Sequence, residues 1–273
     1  MVAVINAEGE VAGGLTAQAI DRTCRALGWG DDRSHVRRIV DLGSGPGVDA
    51  CALAAAFPAA TVVAVDSSAA MLAAATRRAE AAGLAERVES LVLDLDAEFT
   101  ELGPVDLAWA ALSLHHLHDR SATVERIAAQ LRPGGGLCVL ERYTPLQAWP
   151  ADELDCPGLW ERVNHAQSAW YERARASHHS HDDLQQLADV VAAAGLDVAL
   201  ASTLQSTSAV PASLNREQLV ARHAQMALRN FGDALDSADI AALQAPDAFT
   251  RLSRSAATFT TTRLFVVASQ ERA

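Results

Sequence analysis

The stretch Val40-Asp41-Leu42-Gly43-Ser44-Gly45-Pro46-Gly47 sets a glycine-rich turn directly after an apolar strand and before a helical run. Such a turn lets backbone amides and the positive end of a helix approach a ligand closely. One βα unit on, Val62-Val63-Ala64-Val65-Asp66 ends a second apolar strand on a carboxylate, placed where it can accept hydrogen bonds from both hydroxyls of a ribose. The same Asp66 could cap the following helix, and the two roles are compatible. Together the two segments imply a nucleoside-containing ligand.

Outward from this pair the pattern is regular. Strands are expected near Arg37 to Leu42, Thr61 to Asp66, Val88 to Leu93, Val105 to Ala110 and Leu137 to Glu141, with helices near Gly47 to Ala56, Ala69 to Ala82 and Ala122 to Gln130. This alternation predicts right-handed βαβ units and a parallel sheet. A helix from Thr16 to Leu27 precedes it. After Tyr143 the rhythm breaks in a segment holding Trp149, Trp160, Trp170 and Tyr171 but no clear strand, then resumes with a helix capped at Ser180 and a strand at Leu196 to Ser202. Helices are expected at Arg216 to Asn230 and Ala238 to Leu243, and the chain closes on the β-branched run Thr260 to Ala268. The expected organisation is a single domain over 1–273, with a helical cap at 1–35, a cofactor-binding core at 36–142, and lid insertions at 143–180 and 206–258.

The 273 residues are half hydrophobic, enough for a large core without disulfides or a structural metal. With 22 basic and 34 acidic residues the net charge is -12, which disfavours nucleic acid and anionic lipid as partners. Cys24, Cys51, Cys138 and Cys156 form no C-x-x-C pair, and the amino terminus has no secretory pattern, so a cytoplasmic protein is expected. The longest apolar stretch, Cys51 to Val65, is interrupted by Pro58 and too short to span a bilayer. Oligomeric state is not legible.

A nicotinamide enzyme would use similar parts, and the shifted frame Gly45, Gly47, Ala50 matches its G-x-G-x-x-A variant. Asp41 favours another reading, because a buried strand avoids a charge unless the charge has a task. The chain also contains no lysine, which removes the Tyr-x-x-x-Lys pair of one large oxidoreductase family.

From Val36 to Glu141 the sequence resembles the class I S-adenosylmethionine-dependent methyltransferases. Val40 to Gly47 is similar to their first motif, Asp66-Ser67-Ser68-Ala69-Ala70-Met71-Leu72 to the acidic segment after it, and Asp94-Leu95 to the adenine-contacting loop. Ala110-Ala111-Leu112-Ser113-Leu114-His115-His116 is similar to the segment after the fourth strand, and Leu131 to Gly136 to the turn before the fifth. The resemblance implies a Rossmann-like, doubly wound, seven-stranded α/β sheet with an antiparallel edge, here with a helical lid from insertions. It implies S-adenosylmethionine as cofactor and methyl transfer to oxygen, nitrogen or carbon of a small-molecule acceptor. A nicotinamide oxidoreductase, or a S-adenosylmethionine-binding fold used for other chemistry, are the rival readings.

The implied cofactor residues are Asp41, Gly43 and Gly45 at the methionine end, Asp66 at the ribose, Met71, Asp94 and Leu95 at the adenine, and His115 near the methyl group, with Ser44, Ser67 and Ala110 also among them. His115 and His116 are the implied catalytic candidates, either able to accept a proton. Trp109, Trp160, Trp170, Tyr171, His178 and His179 are expected to form the acceptor pocket under an aromatic roof, although aromatic side chains more often pack a core. The histidines lack the order of a binuclear metal site, and no metal is expected. Asp155-Cys156-Pro157 reverses the Pro-Cys of cytosine methyltransferases, and no Asn- or Asp-Pro-Pro-Tyr stretch is present.

Overall fold

The computed structural model describes residues 11–97, 99, 102–177, 183–209 and 216–271. Strands β1 (Arg38–Leu42) and β2 (Thr61–Asp66) are buried almost throughout, as expected for strands covered on both faces. They pair in parallel with each other, β2 with β3 (Val88–Val92), β1 with β4 (Val105–Ala111), and β4 with β5 (Leu131–Arg142). The last strand, β8 (Ala257–Ser269), runs antiparallel to β5. On its other side it pairs antiparallel with β7 (Asp197–Ala209).

Two features depart from the sequence reading. An eighth strand, β6 (Gln147–Pro150), continues along the β5 side of β8, in the segment read as strand-free. Four residues ending on a proline carry too little periodicity to be seen, and proline is tolerated there because the strand is short and peripheral. Strand β7 also runs on to Ala209, so the second insertion begins there and not at 206. Its later half, Thr203 to Ala209, is mostly polar and gains order from pairing with β8.

Helices cover both faces. Helix α1 (Gly13–Ala26) buries Leu15, Ala19, Ile20 and Cys24 on one stripe and packs with α2 (Val48–Ala56) over one face. Helix α3 (Ala69–Ala81) starts at Ser68, whose Oγ accepts from the Met71 amide. On the other face lie α4 (Arg120–Ala128), capped by Asp119, and α6 (Leu184–Ala193). The cap of α6 is Asp183, which accepts from Gln186 N at 2.7 Å; Ser180, expected in that role, lies outside the described residues.

Between them in sequence runs α5 (Leu159–Ser177), which joins α7 (Arg216–Phe231), α8 (Ser237–Leu243) and α9 (Ala248–Arg254) around a third apolar cluster. Here the aromatic segment is packing. Trp160 is 2% exposed and donates to the Asp152 carbonyl at 2.9 Å, and Trp170 lies 6.4 Å from the Phe231 ring. Arg162 clasps Asp239 through Nε and Nη2, and Arg251 bridges Asp152 and Asp155. Among the described residues no helix is long and apolar enough to cross a membrane.

Candidate active site

The turn after β1 is built from positive-φ glycines: Gly43 at 69°, Gly45 at 52° and Gly47 at 77°. A Cβ on Gly47 would stand 2.6 Å from the Ala75 Cβ of α3, and one on Gly43 would stand 2.5 Å from the Ser113 Cβ after β4. The glycines therefore let chain segments touch. Gly45 N donates to Asp66 Oδ2 at 2.9 Å, while Ser68 N donates to Asp66 Oδ1 at 2.8 Å. Asp66 thus ties the turn to the start of α3 while it lines the cavity above them.

That cavity, about 550 Å³, lies outside the carboxyl ends of β1, β2 and β4. Asp41, Gly43, Ser44, Gly45, Asp66, Ser67, Met71, Asp94 and Leu95 all line it. Asp41 is 2% exposed, and its Oδ2 has no hydrogen-bond partner; nor do Ser44 Oγ and Ser113 Oγ beside it. Burial, with repulsion from Asp49 and then Asp66, pushes the Asp41 carboxyl well above the usual range. A cation placed at Oδ2 would remove both the orphaned acceptor and the charge penalty. Asp49, in the first turn of α2, is held by Trp109 Nε1 at 3.0 Å and Thr16 Oγ1 at 2.9 Å, and burial raises its pKa against those bonds.

At the end of β4 the chain bends sharply, with Leu112 at φ 55°, a conformation that costs a branched side chain energy and clusters at functional sites. The two histidines follow it in one short turn, Leu114–His116, and have different surroundings. His115 Nδ1 lies 2.7 Å from Oε2 of Glu141, whose Oε1 accepts from Leu114 N, and Glu141 is 1% exposed. His116 lines the cavity, its ring 3.9 Å from that of His115. Burial, then the neighbouring His115, lowers its pKa below the ordinary imidazole value, so the ring is neutral near pH 7.

Other expected site residues fall elsewhere. Ala110 and Trp109 are fully buried core residues, the latter beneath the cavity as a donor to Asp49; Ala111, Leu112 and Ser113 take the wall positions. His115 is turned to Glu141 and does not line the cavity. Neither do Trp160, Trp170 and Tyr171, all of α5. His178 and His179 lie outside the described residues. The sequence reading passed over Thr16, Asp49 and Arg263, all in the wall. Arg263 was detectable, because a lone charge inside the apolar run Thr260 to Ala268 is the same signal that singled out Asp41. Among the described residues no cluster of three or more His, Cys, Asp or Glu side chains could hold a metal ion.

A family profile described as a methyltransferase domain matches residues 39–135, the segment that carries the glycine turn, Asp66 and both histidines. The chain is 33% identical over 144 residues to a trans-aconitate 2-methyltransferase of Klebsiella pneumoniae, covering 50% of this chain and 54% of that protein. It is 37% identical over 107 residues to one from Paracidovorax citrulli, 39% of each chain. The chain thus matches about half the length, or less, of these curated relatives. Among solved structures, the YcgJ protein of Bacillus subtilis superposes with a TM-score of 0.50 at 19% identity, over 91% of this chain and 99% of that one. An O-methyltransferase family protein of Burkholderia thailandensis does so at 0.50 and 15% identity, over 94% and 57%. These two likenesses concern the fold alone.

S-adenosylmethionine, the cofactor that the sequence resemblance implies, fits the cavity on the cavity's own terms. The orphaned Asp41 Oδ2 suits an ammonium, Asp66 reaches a pair of hydroxyls, and Met71 and Leu95 supply apolar walls for a planar base beside the Asp94 carboxylate.

Proposed function

We propose that this chain transfers the methyl group of S-adenosylmethionine to a small-molecule acceptor, leaving S-adenosylhomocysteine. The observation that carries the reading is one continuous cavity in which Asp41, with its unsatisfied oxygen, shares the wall with the neutral imidazole of His116. When bound, the sulfonium supplies an electrophilic methyl group and departs as a neutral thioether. The chain's part is to align, exclude water and, where the acceptor atom carries a proton, take it up. Asp41, Asp66 and Asp94 anchor one end. His116 is the proton acceptor we assign, and Glu141 fixes His115 behind it so that the bend after β4 keeps its shape.

The net charge of -12 supports a small acceptor over a nucleic acid. All four cysteines are free, which supports a cytoplasmic setting. Calorimetric titration with S-adenosylhomocysteine and with NADH tests the reading: binding of the first and none of the second is expected, and the reverse outcome overturns it. Once an acceptor is known, the rate should rise with pH through a step below the ordinary imidazole pKa, and His116→Ala should abolish that step.

A further inference from the structure

Three polar atoms of the cavity wall lack partners, and all three gather about Gly43. Asp41 Oδ2 belongs to the residue two before it, Ser44 Oγ to the residue after it, and Ser113 Oγ reaches it from the end of β4. The Ser113 Cβ lies 2.5 Å from where a Gly43 Cβ would stand, and its Oγ lies 3.4 Å from that point. Asp41, Ser113 and Ser44 are 2%, 6% and 9% exposed. The serines make their main-chain bonds elsewhere: Ser44 N donates to the Val65 carbonyl at 2.8 Å, and the Ser113 carbonyl accepts from His116 N at 3.2 Å. Ser113 also heads the turn Leu114–His116, the place where a serine hydroxyl ordinarily caps, yet its hydroxyl makes no capping bond. Buried hydroxyls without partners cost stability, so two of them beside an orphaned carboxylate oxygen point to a ligand that completes all three. That ligand must offer a donor to Asp41 and an acceptor to the hydroxyls. An ammonium and a carboxylate on one carbon do both.

We propose that the hydroxyls of Ser113 and Ser44 clamp the α-carboxylate of the donor while Asp41 takes its ammonium group. Hydrogen bonds to an ionised oxygen are stronger than those between neutral groups. A hydroxyl also suits this place better than a cationic side chain, which would pair with Asp41 and fill the position of the ammonium. Ser113 joins the donor site only because β1 and β4 lie side by side, so that the segments following them meet at Gly43. The clamp has a consequence for the proton acceptor. Ser113 opens the turn that ends on His116 and holds its amide, so a seated carboxylate steadies the backbone that carries the imidazole. A water molecule and an atom of the acceptor are the competing partners for the two hydroxyls.

The clamp rests on the donor reading, and the order of titrations keeps their failures apart. Wild-type protein is first titrated with S-adenosylhomocysteine; no binding overturns the donor reading and the clamp together. The decarboxylated analogue of that ligand, which keeps the nucleoside and the amine, follows and should bind about tenfold more weakly, or worse. Equal affinity for the two ligands would overturn the clamp and leave the donor reading standing. Ser113→Ala keeps the Cβ that packs on Gly43 and removes only the hydroxyl. It should weaken S-adenosylhomocysteine by about tenfold and the decarboxylated analogue by less than about twofold. Ser44→Ala should show the same selectivity at about threefold or more, and it carries the comparison if the Ser113 variant does not fold. Equal losses for both ligands would assign the hydroxyls to the amine or to bracing the wall. No loss for either would assign them to water or to the acceptor, and each of these outcomes overturns the clamp.

Discussion

In the turn after β1 the backbone does the building: positive-φ glycines, no large side chains, and a carboxylate bonded to main-chain amides on both oxygens. In the helical layer of α5 and α7 to α9 the side chains do it, through buried aromatic rings and the ion pairs of Arg162 and Arg251. The two regions also treat polar atoms differently. Around the turn, Asp41 Oδ2, Ser44 Oγ and Ser113 Oγ are left unsatisfied toward a cavity, where a ligand can complete them. In the layer, Asn164 Oδ1, Gln167 Oε1 and His223 Nε2 are unsatisfied as well, yet none of these residues lines that cavity, so the cost falls on stability. A region organised for a ligand and one organised for packing should therefore fail in different ways.

The largest effect is expected at Gly47. Valine there meets the Ala75 Cβ and Cα of α3 and is forced to φ 77°, so Gly47→Val should cost roughly 3 to 5 kcal/mol, read as a lowered urea midpoint. A variant of unchanged stability would show that the turn adapts and that its glycines serve only the ligand.

The layer has its own weak point in His223, 5% exposed beside Trp160, whose pKa burial lowers from 6.5 to about 4. Above about pH 6.5 the ring is neutral in folded and unfolded chains alike. As pH falls toward 4 the unfolded chain takes up a proton that the folded one refuses, and stability drops by up to about 3 kcal/mol. His223→Leu should flatten this part of the stability profile between pH 6.5 and 4. An unchanged slope would assign the acid sensitivity to other groups.

At the boundary between the two kinds of region, Asp66→Ala should weaken S-adenosylhomocysteine by about 2 kcal/mol, since hydroxyls of the ligand lose a charged acceptor. Because Asp66 also receives Gly45 N and Ser68 N, some loss of melting temperature should accompany it. Wild-type affinity with lowered stability would reduce Asp66 to a brace. Smallest, and most direct as a contrast, is Trp170→Ala: about 2 kcal/mol of stability from a half-buried ring against Phe231, with kcat and donor affinity unchanged. Impaired turnover in a folded Trp170 variant would return the aromatic segment to the acceptor pocket.

Much of the donor half was legible from sequence because its constraints are local. A glycine turn between strand and helix, or an acid at a strand tip, has its meaning within a few residues, and so Asp41, Asp66, Met71, Asp94 and Leu95 could be placed on one cavity before any coordinates. Trp109 and Ala110 went astray because both lie within the buried sheet, short of the point where the cavity wall begins. Only the twist and the bend at Leu112 fix where that point lies. The helix carrying Trp160 and Trp170 was read as a roof because composition cannot tell a buried aromatic from a ligand-facing one.

The sequence by itself thus determined the βαβ order, the turn and the acids at the strand ends, since short-range periodicity and backbone geometry encode them. Three things were decided only by tertiary structure: which of two adjacent histidines faces the cavity, that Asp49 joins its wall, and that Arg142 and Arg263 meet although 121 positions apart. Each depends on the register between elements distant in the chain, and register is set by how the whole core packs, a quantity that no local pattern contains.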